Sequence, residues 1–562
     1  MSILKRLIPI SALLCAGLPW AQAKKPNIIL IMADDMGFSD IGAFGSEITT
    51  PNLDKLAVKG IRYTQFYNTS RCCPTRASLL TGLYSHEAGV GHMTDDESAT
   101  KGPGYLGHLN NNCVTLAEVL RTAGYATYMV GKWHVSHGPG DMPDWPVQRG
   151  FDRFFGGLSG PEQFFGSTDL MSGNTSLPKQ TGKYATYAFS DTAVKYIDEH
   201  VASGTAKPFF LYLPHHAPHF PLQAPDSLIA RYRGKYMAGW TALRKARYAR
   251  QLASGLIDPK WPLSPDDGLV WDTLSASKKD EMDLRMSIYA AMIEAMDQGI
   301  GQVMDALQKH NLTENTLVLF LSDNGGNLEG GLAGGGPASD LGKHLTIPML
   351  TYGQSWGNAS NTPFREYKHF SFEGGISTPL LAVWPKGITV KDRWETQPGH
   401  LTDIMPTLVE LSGATYPTTF QGNTIKPMEG ISLVPTFTGK ALNRTKPIFF
   451  EHEGNRAIRD GKWKLVALDK KPWELYDMEA DRSELNNLAA KDPARVAAMT
   501  TQWNDWAVRA NVVWTPTGLR PSQGALPKRE ANAKGVHVKP DVNANARPAT
   551  AAGIRFTLPV DD

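Results

Sequence analysis

Cysteine is almost absent from this chain, with four in 562 residues. Cys15 lies in an apolar N-terminal stretch, which leaves Cys72, Cys73 and Cys113 for the folded protein. Three thiols do not make the framework of bridges that staples small secreted folds, so a hydrophobic core must hold the chain together. A vicinal Cys72–Cys73 bridge closes a strained ring, and free buried thiols are favoured over a Cys73–Cys113 disulfide. An excess of one charge is missing too. Lys and Arg number 57 and Asp and Glu 55, a formal net charge of +2. That balance offers no electrostatic footing for nucleic acid or for an anionic membrane surface. Internal repeats are lacking, which excludes repeat architectures. Beyond the N-terminus no run is long and apolar enough to cross a bilayer, so stable membrane insertion is not expected.

What is present suits a large globular protein. An apolar fraction of 41% supports a sizeable core, and the length fits one large domain with a smaller companion. Residues 1–23 read as a signal peptide: Lys5 and Arg6, then apolar Leu7 to Leu18, then the small-x-small site Ala21-Gln22-Ala23. Pro9 and Pro19 interrupt the stretch, which argues against an anchor. Its two basic residues equal the net charge, so the mature chain is balanced. A short signal combined with few cysteines predicts export, to a bacterial periplasm rather than through a disulfide-rich secretory route.

From residue 24 to 442, strand-like apolar runs alternate with helical periodicity. Asn27–Ala33, Ala126–Val130, Pro208–Leu213, Leu317–Leu321 and Pro379–Trp384 read as buried strands. Asn52–Lys59, Thr115–Thr122, Ser190–Ala202, Asp280–His310 and Thr402–Leu411 read as helices. The pattern predicts an α/β fold with a large, mainly parallel sheet flanked by helices. Ala224 to Leu274 breaks the rhythm with Tyr232, Tyr236, Trp240, Trp261 and Trp271 among basic residues. A binding lid and an element that only packs on the sheet are equally compatible with it. Residues 443–512 change texture: short strand-like runs, a hairpin turn at Asp460-Gly461 and a helix over Pro493–Ala510 predict a small antiparallel sheet with one helix. Residues 513–562, rich in Pro, Ala and Asn, read as an extended tail.

Polar residues collect where the strands end, the edge on which open parallel sheets bind ligands. Asn27–Ala33 runs into Asp34-Asp35, and Ala126–Val130 into Gly131-Lys132-Trp133-His134. Pro208–Leu213 runs into His215-His216-Ala217-Pro218-His219, and Leu317–Leu321 into Ser322-Asp323-Asn324-Gly325-Gly326. One Asp after a strand is ordinary turn chemistry; two such pairs, Asp34-Asp35 and Asp323-Asn324, offer the oxygen ligands of a hard divalent cation, Ca²⁺ or Mg²⁺ rather than zinc. Pro74 fits the start of a helix and Gly82 its end, so Cys72 is expected just before a short helix whose N-terminal amides face an anion. Arg76, expected in its first turn, opposes the helix dipole and calls for an anionic partner.

The run Cys72-Cys73-Pro74-Thr75-Arg76-Ala77-Ser78-Leu79-Leu80-Thr81-Gly82 resembles the signature of type I sulfatases, members of the alkaline phosphatase-like superfamily. That signature is Cys, any residue, Pro, Ser or Thr, Arg, then Leu-Thr-Gly after a short gap. Counting from Cys72 satisfies it; counting from Cys73 puts Thr75 and Ala77 where Pro and Arg belong. The resemblance spans most of the mature chain, including Pro26-Asn27-Ile28, Asp34 to Gly37, Ala217-Pro218-His219 and Lys368 through Glu373-Gly374-Gly375, and looks closest to bacterial arylsulfatases.

The resemblance implies hydrolysis of a small sulfate ester, with Cys72 converted to formylglycine by a separate maturation enzyme acting on the unfolded chain. A hydrated aldehyde can expel sulfate with its second hydroxyl, whereas a thiol would remain sulfated. It implies one Ca²⁺ on Asp34, Asp35, Asp323, Asn324 and residue 72, with Mg²⁺ the lesser fit. Arg76 is implied to hold the nucleophile and the ligand carboxylates, His134 to act as base, Lys132 and Lys368 to bind sulfate oxygens, and His219 to bind sulfate and assist the leaving alcohol. His215 and His216 are expected to be structural or rim residues, and Glu373-Gly374-Gly375 a backbone feature. A phosphonate monoester or phosphodiester hydrolase shares the fold and the nucleophile, and a non-catalytic anion-binding homologue is the remaining reading.

Overall fold

The computed structural model describes residues 24–513 apart from 95–101, 137–143, 161–162, 168, 180–181 and 345–348. The expected signal peptide and all of the expected tail after Val513 lie outside the described residues.

The strand Asn27–Ala33 is the axis of the fold. Ile29, Ile31 and Ala33 enter one core cluster and Ile28, Leu30 and Met32 the other, as the two-residue period of a strand requires. Both faces are covered, which is why the strand reads as one continuous apolar run. It pairs in parallel with Phe209–Pro214 on one side and Thr316–Ser322 on the other. Ala126–Val130 and then Arg153–Gly157 extend the first side, also parallel. On the second side the direction reverses. Ser377–Val383 lies antiparallel to both Thr316–Ser322 and Ile61–Tyr67. The described sheet has eleven strands and is mixed but mostly parallel, with flanking helices. The run expected at Pro379–Trp384 is thus a strand, but one of opposite direction. Ile61–Tyr67 was not legible at all.

The 34-residue helix Ala276–Lys309 is capped by Ser275, whose side chain accepts from the Lys278 N–H. It packs on Ala185–Ala202 and on Asp226–Tyr232. The latter belongs to the irregular stretch 224–274, which continues as the helix Gly239–Ala253. Tyr232, Tyr236, Trp240 and Trp271 are buried there. Trp240, Trp271 and Trp356 meet edge to face with centroids 4.8–6.1 Å apart. These four aromatic side chains are spent on packing, while Trp261 is half-buried and donates to the Glu479 carbonyl at 2.9 Å.

Ile448–His452, Asn455–Asp460, Trp463–Ala467 and Glu474–Asp477 form a separate antiparallel sheet. The helix Pro493–Arg509 packs on one face of it. The other face joins Tyr67, Tyr367, Phe370, Phe372 and Ile376 of the main fold. Cys72, Cys73 and Cys113 are buried, unbridged thiols. Among the described residues no helix is long and apolar enough to cross a membrane.

Candidate active site

Strand register assembles the site. Ala33 pairs with Ser322, so the residues that follow, Asp34 and Asp323, emerge side by side. Met32 pairs with Pro214, which starts the His215–His219 segment beside them. The Asp35 N–H donates to Asp323 Oδ1 at 3.1 Å, and Asn324 Nδ2 donates to Asp35 Oδ1 at 2.6 Å. Asp35 holds a left-handed φ of 62°, a costly conformation for a side chain without special reason to be there.

The helix that carries the cysteines runs Cys72–Thr81 and ends on Gly82 at φ 70°. Cys72 is therefore its first residue, not the one before it, and Arg76 stands in the second turn. The difference has a simple cause. The first N–H groups of a helix have no acceptor within it, so Pro74 in that turn forfeits nothing and need not mark its start. Arg76 finds the anionic partners expected of it: Nη2 lies 3.1 Å from Asp34 Oδ2 and 3.1 Å from Asp323 Oδ2. Its Nη1 donates to the Lys132 carbonyl at 2.9 Å. Burial would lower the guanidinium pKa, but Asp34, Tyr212 and Asp323 more than reverse this, with a smaller contribution from Cys72.

The remaining expected residues converge on the same cluster. Lys132 Nζ lies 2.8 Å from Asp34 Oδ2, and Lys368 Nζ 3.1 Å from Asp35 Oδ2. His219 Nδ1 stands 2.6 Å from the Phe220 carbonyl, which only accepts, so Nδ1 carries a proton. Its Nε2 then faces Lys368 Nζ at 3.4 Å and Asp35 Oδ2 at 3.6 Å. A ring nitrogen of His134 and the sulfurs of Cys72 and Cys73 lie within 4.8 Å of one another. Proximity to His134 alone therefore does not choose between the two cysteines. His215 and His216 are buried, and burial holds both imidazoles neutral, His215 at about 3.

The donor set fits a hard cation. Asp34, Asp35 and Asp323 are fully buried. Burial first, and then the neighbouring Asp34 charge, push the Asp323 carboxyl well above the ordinary carboxylate range. These carboxylates repel one another, and a bound divalent ion relieves that repulsion. Asn324 Oδ1 is buried with no hydrogen-bond partner among the described residues, an oxygen suited to the same ion.

Several contributors were not foreseen. Asn327 Nδ2 donates to Asp35 Oδ2 at 2.9 Å, and Thr75 Oγ1 donates to the Asp323 carbonyl at 2.7 Å. Both sit within or beside quoted motifs, so spacing from Asn324 and Cys72 was the available signal. The Tyr289 hydroxyl lies 3.1 Å from the Asp35 carbonyl and 2.8 Å from Asp40, and Arg247 reaches Asp40 Oδ1 at 2.6 Å. These come from distant helices and left no local trace. The Gly325 N–H donates to the Gly375 carbonyl at 3.1 Å, a backbone contact of the kind expected, whereas Glu373 acts through its side chain, paired with Lys464 and Arg482.

Sheet topology and this strand-end cluster define the alkaline phosphatase-like α/β class. Residues 26–414 match the family described as Sulfatase, and residues 365–505 match the C-terminal region of N-sulphoglucosamine sulphohydrolase. The chain is 34% identical to an arylsulfatase of Klebsiella aerogenes over 460 residues, 77% of this chain and 97% of that one. It is 35% identical over 542 residues to an uncharacterized sulfatase of Schizosaccharomyces pombe, covering 88% of this chain and 96% of that one. The solved structure of Ps i-CgsB in complex with k-i-k-neocarrahexaose superimposes with a TM-score of 0.63 at 26% identity, over 89% of this chain and 96% of that one. The chain belongs to the sulfatase family.

Proposed function

We propose that this chain hydrolyses sulfate esters of a phenol or alcohol, with residue 72 matured from cysteine to formylglycine by a separate enzyme. Asp34, Asp35, Asp323, Asn324 and residue 72 would hold one Ca²⁺. The observation that carries this reading is that Cys72, within 4.8 Å of a His134 ring nitrogen, opens the buried helix whose Arg76 bridges Asp34 and Asp323. When bound, such an ion would supply Lewis-acid polarisation of a sulfate oxygen and would lower the pKa of a coordinated hydroxyl. The matured residue supplies the nucleophilic hydroxyl that a cysteine lacks.

The chain's own residues do the rest. Arg76 fixes Asp34 and Asp323 as ligands by bridging them. Lys132 and Lys368, held against Asp34 and Asp35, present ammonium groups to sulfate oxygens as negative charge grows there. His134 accepts the proton of the second hydroxyl on residue 72 when sulfate leaves. His219, with Nδ1 anchored to Phe220, offers Nε2 as the atom that gives a proton to the departing oxygen. Residues 24–442 carry this chemistry, 443–512 form the companion, and the chain is exported to a periplasm.

The test is p-nitrophenyl sulfate hydrolysis by protein whose tryptic peptide Cys72–Arg76 has the mass of the aldehyde form. Release of sulfate is expected, abolished by Cys72→Ala and retained by Cys73→Ala. No release above the Cys72→Ala control from aldehyde-bearing protein sinks the proposal. A faster rate on a phosphonate monoester than on the sulfate replaces the substrate class.

A further inference from the structure

A second group of ligand-type side chains lies where the main fold meets the C-terminal sheet, and the chemistry above does not use it. His452 ends the strand Ile448–His452, and Glu453 follows in the tight turn to Asn455. Glu453 and Gly454 both have left-handed φ, 49° and 88°. That turn suits Asn or Gly at its first position, so a glutamate there is an exception in search of a reason. His369 also adopts a left-handed φ, 79°. Asn455 Nδ2 donates to the carbonyls of His369 and His452, which ties the two segments together.

The donor atoms converge. Glu453 Oε1 lies 3.3 Å from His92 Nε2 and 3.6 Å from His452 Nε2, and Oε2 lies 2.9 Å from His369 Nδ1. The ligand atoms of His369, His452 and Glu453 all fall within 4.8 Å of one another. Ligands on a tetrahedral zinc at about 2.0–2.1 Å stand roughly 3.3 Å apart, so His369, His452 and Glu453 need modest adjustment, and His92 approaches them from the side of Glu453 Oε1.

His452 is the most telling member. It is fully buried, its Nδ1 makes no hydrogen bond to a described residue, and its Nε2 faces only a distant Glu453 carboxylate. Its nearest approach, 3.6 Å to Glu453, is beyond hydrogen-bond reach. A buried imidazole left in that state is costly unless something else satisfies it.

His369 is oriented for the same purpose. With Nδ1 toward Glu453, its Nε2 faces Glu329 Oε1 at 3.4 Å. A carboxylate that takes the outer N–H of a metal-bound histidine fixes its tautomer and ring direction. The Arg71 guanidinium stands 2.9 Å from His369 Nδ1 and 4.0 Å from Glu329. Arg71 only donates, so a cation here must displace it from the Nδ1 lone pair, with Glu329 left as its anionic partner.

We propose that His92, His369, His452 and Glu453 form a second metal site, selective for a transition-metal cation of the Zn²⁺ class over Ca²⁺. Imidazole nitrogens set that preference, just as the oxygen set of Asp34, Asp35, Asp323 and Asn324 sets the opposite one. The two sites communicate through Glu329, whose Oε1 also stands 3.5 Å from Lys368 Nζ. A metal here ties the hairpin of the C-terminal sheet to a lysine of the active site.

The test uses the full-length chain carrying Cys72→Ala and Cys73→Ala, since those thiols and His134 form a competing thiophilic cluster. The protein is stripped with a chelator, returned to excess Ca²⁺, and titrated with Zn²⁺ against a chromophoric chelator. A Co²⁺ titration reports coordination through its visible bands. A single Zn²⁺ per chain and intense four-coordinate Co²⁺ bands are expected. His452→Gln and Glu453→Gln should each weaken binding at least about tenfold, and Glu329→Gln by about 10–100-fold. Circular dichroism and the melting transition verify that each variant is folded. Absence of zinc binding by the folded parent overturns the proposal. So does unchanged affinity in a folded His452→Gln or Glu453→Gln. If both variants unfold, the parent's melting temperature decides: a rise with Zn²⁺ in excess Ca²⁺ supports the site, and no rise overturns it.

Discussion

Asp34 and Asp323 share one nitrogen: Arg76 Nη2 lies 3.1 Å from a carboxylate oxygen of each. The two acids come from neighbouring strands and the arginine from the helix between them and Lys132, so the ion pair locks three segments at the site. Removing one partner of a buried pair leaves uncompensated charge, which costs about 3–5 kcal/mol. Arg76→Ala should therefore lose about that much stability in chelator, read from denaturant unfolding. Ca²⁺ should raise wild-type stability by mass action, about 2.7 kcal/mol at a hundredfold excess over its dissociation constant. Asp323→Asn should show almost no Ca²⁺ increment. An increment equal to wild type would remove Asp323 from the metal site.

Lys132 depends on the residue before it. Gly131 has a φ of 129°, and a Cβ there would sit 1.8 Å from the Pro214 carbonyl oxygen. Backbone cannot swing aside as a side chain does, so Gly131→Ala must displace the turn that aims Lys132 at Asp34. A displacement of about 1 Å in a positioned group is enough to lower the rate by about 10²-fold. Gly173→Ala is the control, since Gly173 also has positive φ but nothing within 4 Å of the added carbon. Sulfate release should fall about 10²-fold in the first variant and stay near wild type in the second. Equal activities would show that the turn does not position Lys132.

Legibility followed burial and contiguity. Asn27–Ala33 and Thr316–Ser322 were readable because both faces are buried and the apolar run is unbroken. Ile61–Tyr67 was hidden because Arg62 and Gln65 satisfy their polarity sideways, on Asp392 and the Thr396 carbonyl. The direction of Ser377–Val383 depends on how the chain returns to the sheet, which no local pattern encodes. In the site, Asp34 and Asp323 were legible because each directly follows a strand, and Lys132 and His134 because they lie in the turn just after one. Asn327 was close enough to a motif to be found. Tyr289 and Arg247 reach the same loop from distant helices, and their sequence surroundings are those of any packed helix.

Acid should destabilise the fold through its buried imidazoles. Burial lowers His215 to about 3, and burial together with the nearby Arg444 charge lowers His400 to about 3. In the unfolded chain a histidine titrates near 6.5. Between those values the unfolded state binds protons that the native state does not. Stability therefore rises with pH across that window and is lost as pH falls below about 6.5. Each group contributes at most about 1.4 kcal/mol per pH unit. His400→Gln, far in sequence from the strand-end motifs, should flatten the slope of unfolding free energy between about pH 6 and about pH 4 by roughly one proton. An unchanged slope would mean that His400 is not held neutral in the native state.

The C-terminal sheet is joined to the site by buried charge as well as by apolar packing. Lys464 Nζ lies 3.0 Å from Glu373 and 2.8 Å from Glu484, and Arg482 Nε donates to Glu373 at 2.9 Å, all fully buried. Burial would raise the Glu373 carboxyl, but Lys464 and Arg482 bring it below its ordinary value, so it is ionised in the fold. Lys464→Met should cost about 3–5 kcal/mol, because two carboxylates lose a buried partner. Adding Glu484→Gln removes one of those uncompensated charges and should recover part of the loss. The effect should also reach the chemistry. Glu373 opens the segment whose Gly375 carbonyl braces Gly325, beside Asp323 and Asn324. Lys464→Met should therefore lower the Ca²⁺ increment along with stability. A fragment ending at residue 442 removes the sheet altogether and uncovers Tyr67, Phe370 and Phe372. It should be recovered insoluble or without a cooperative melting transition. A soluble, cooperatively melting fragment would mean that the junction adds stability without being required for the catalytic fold.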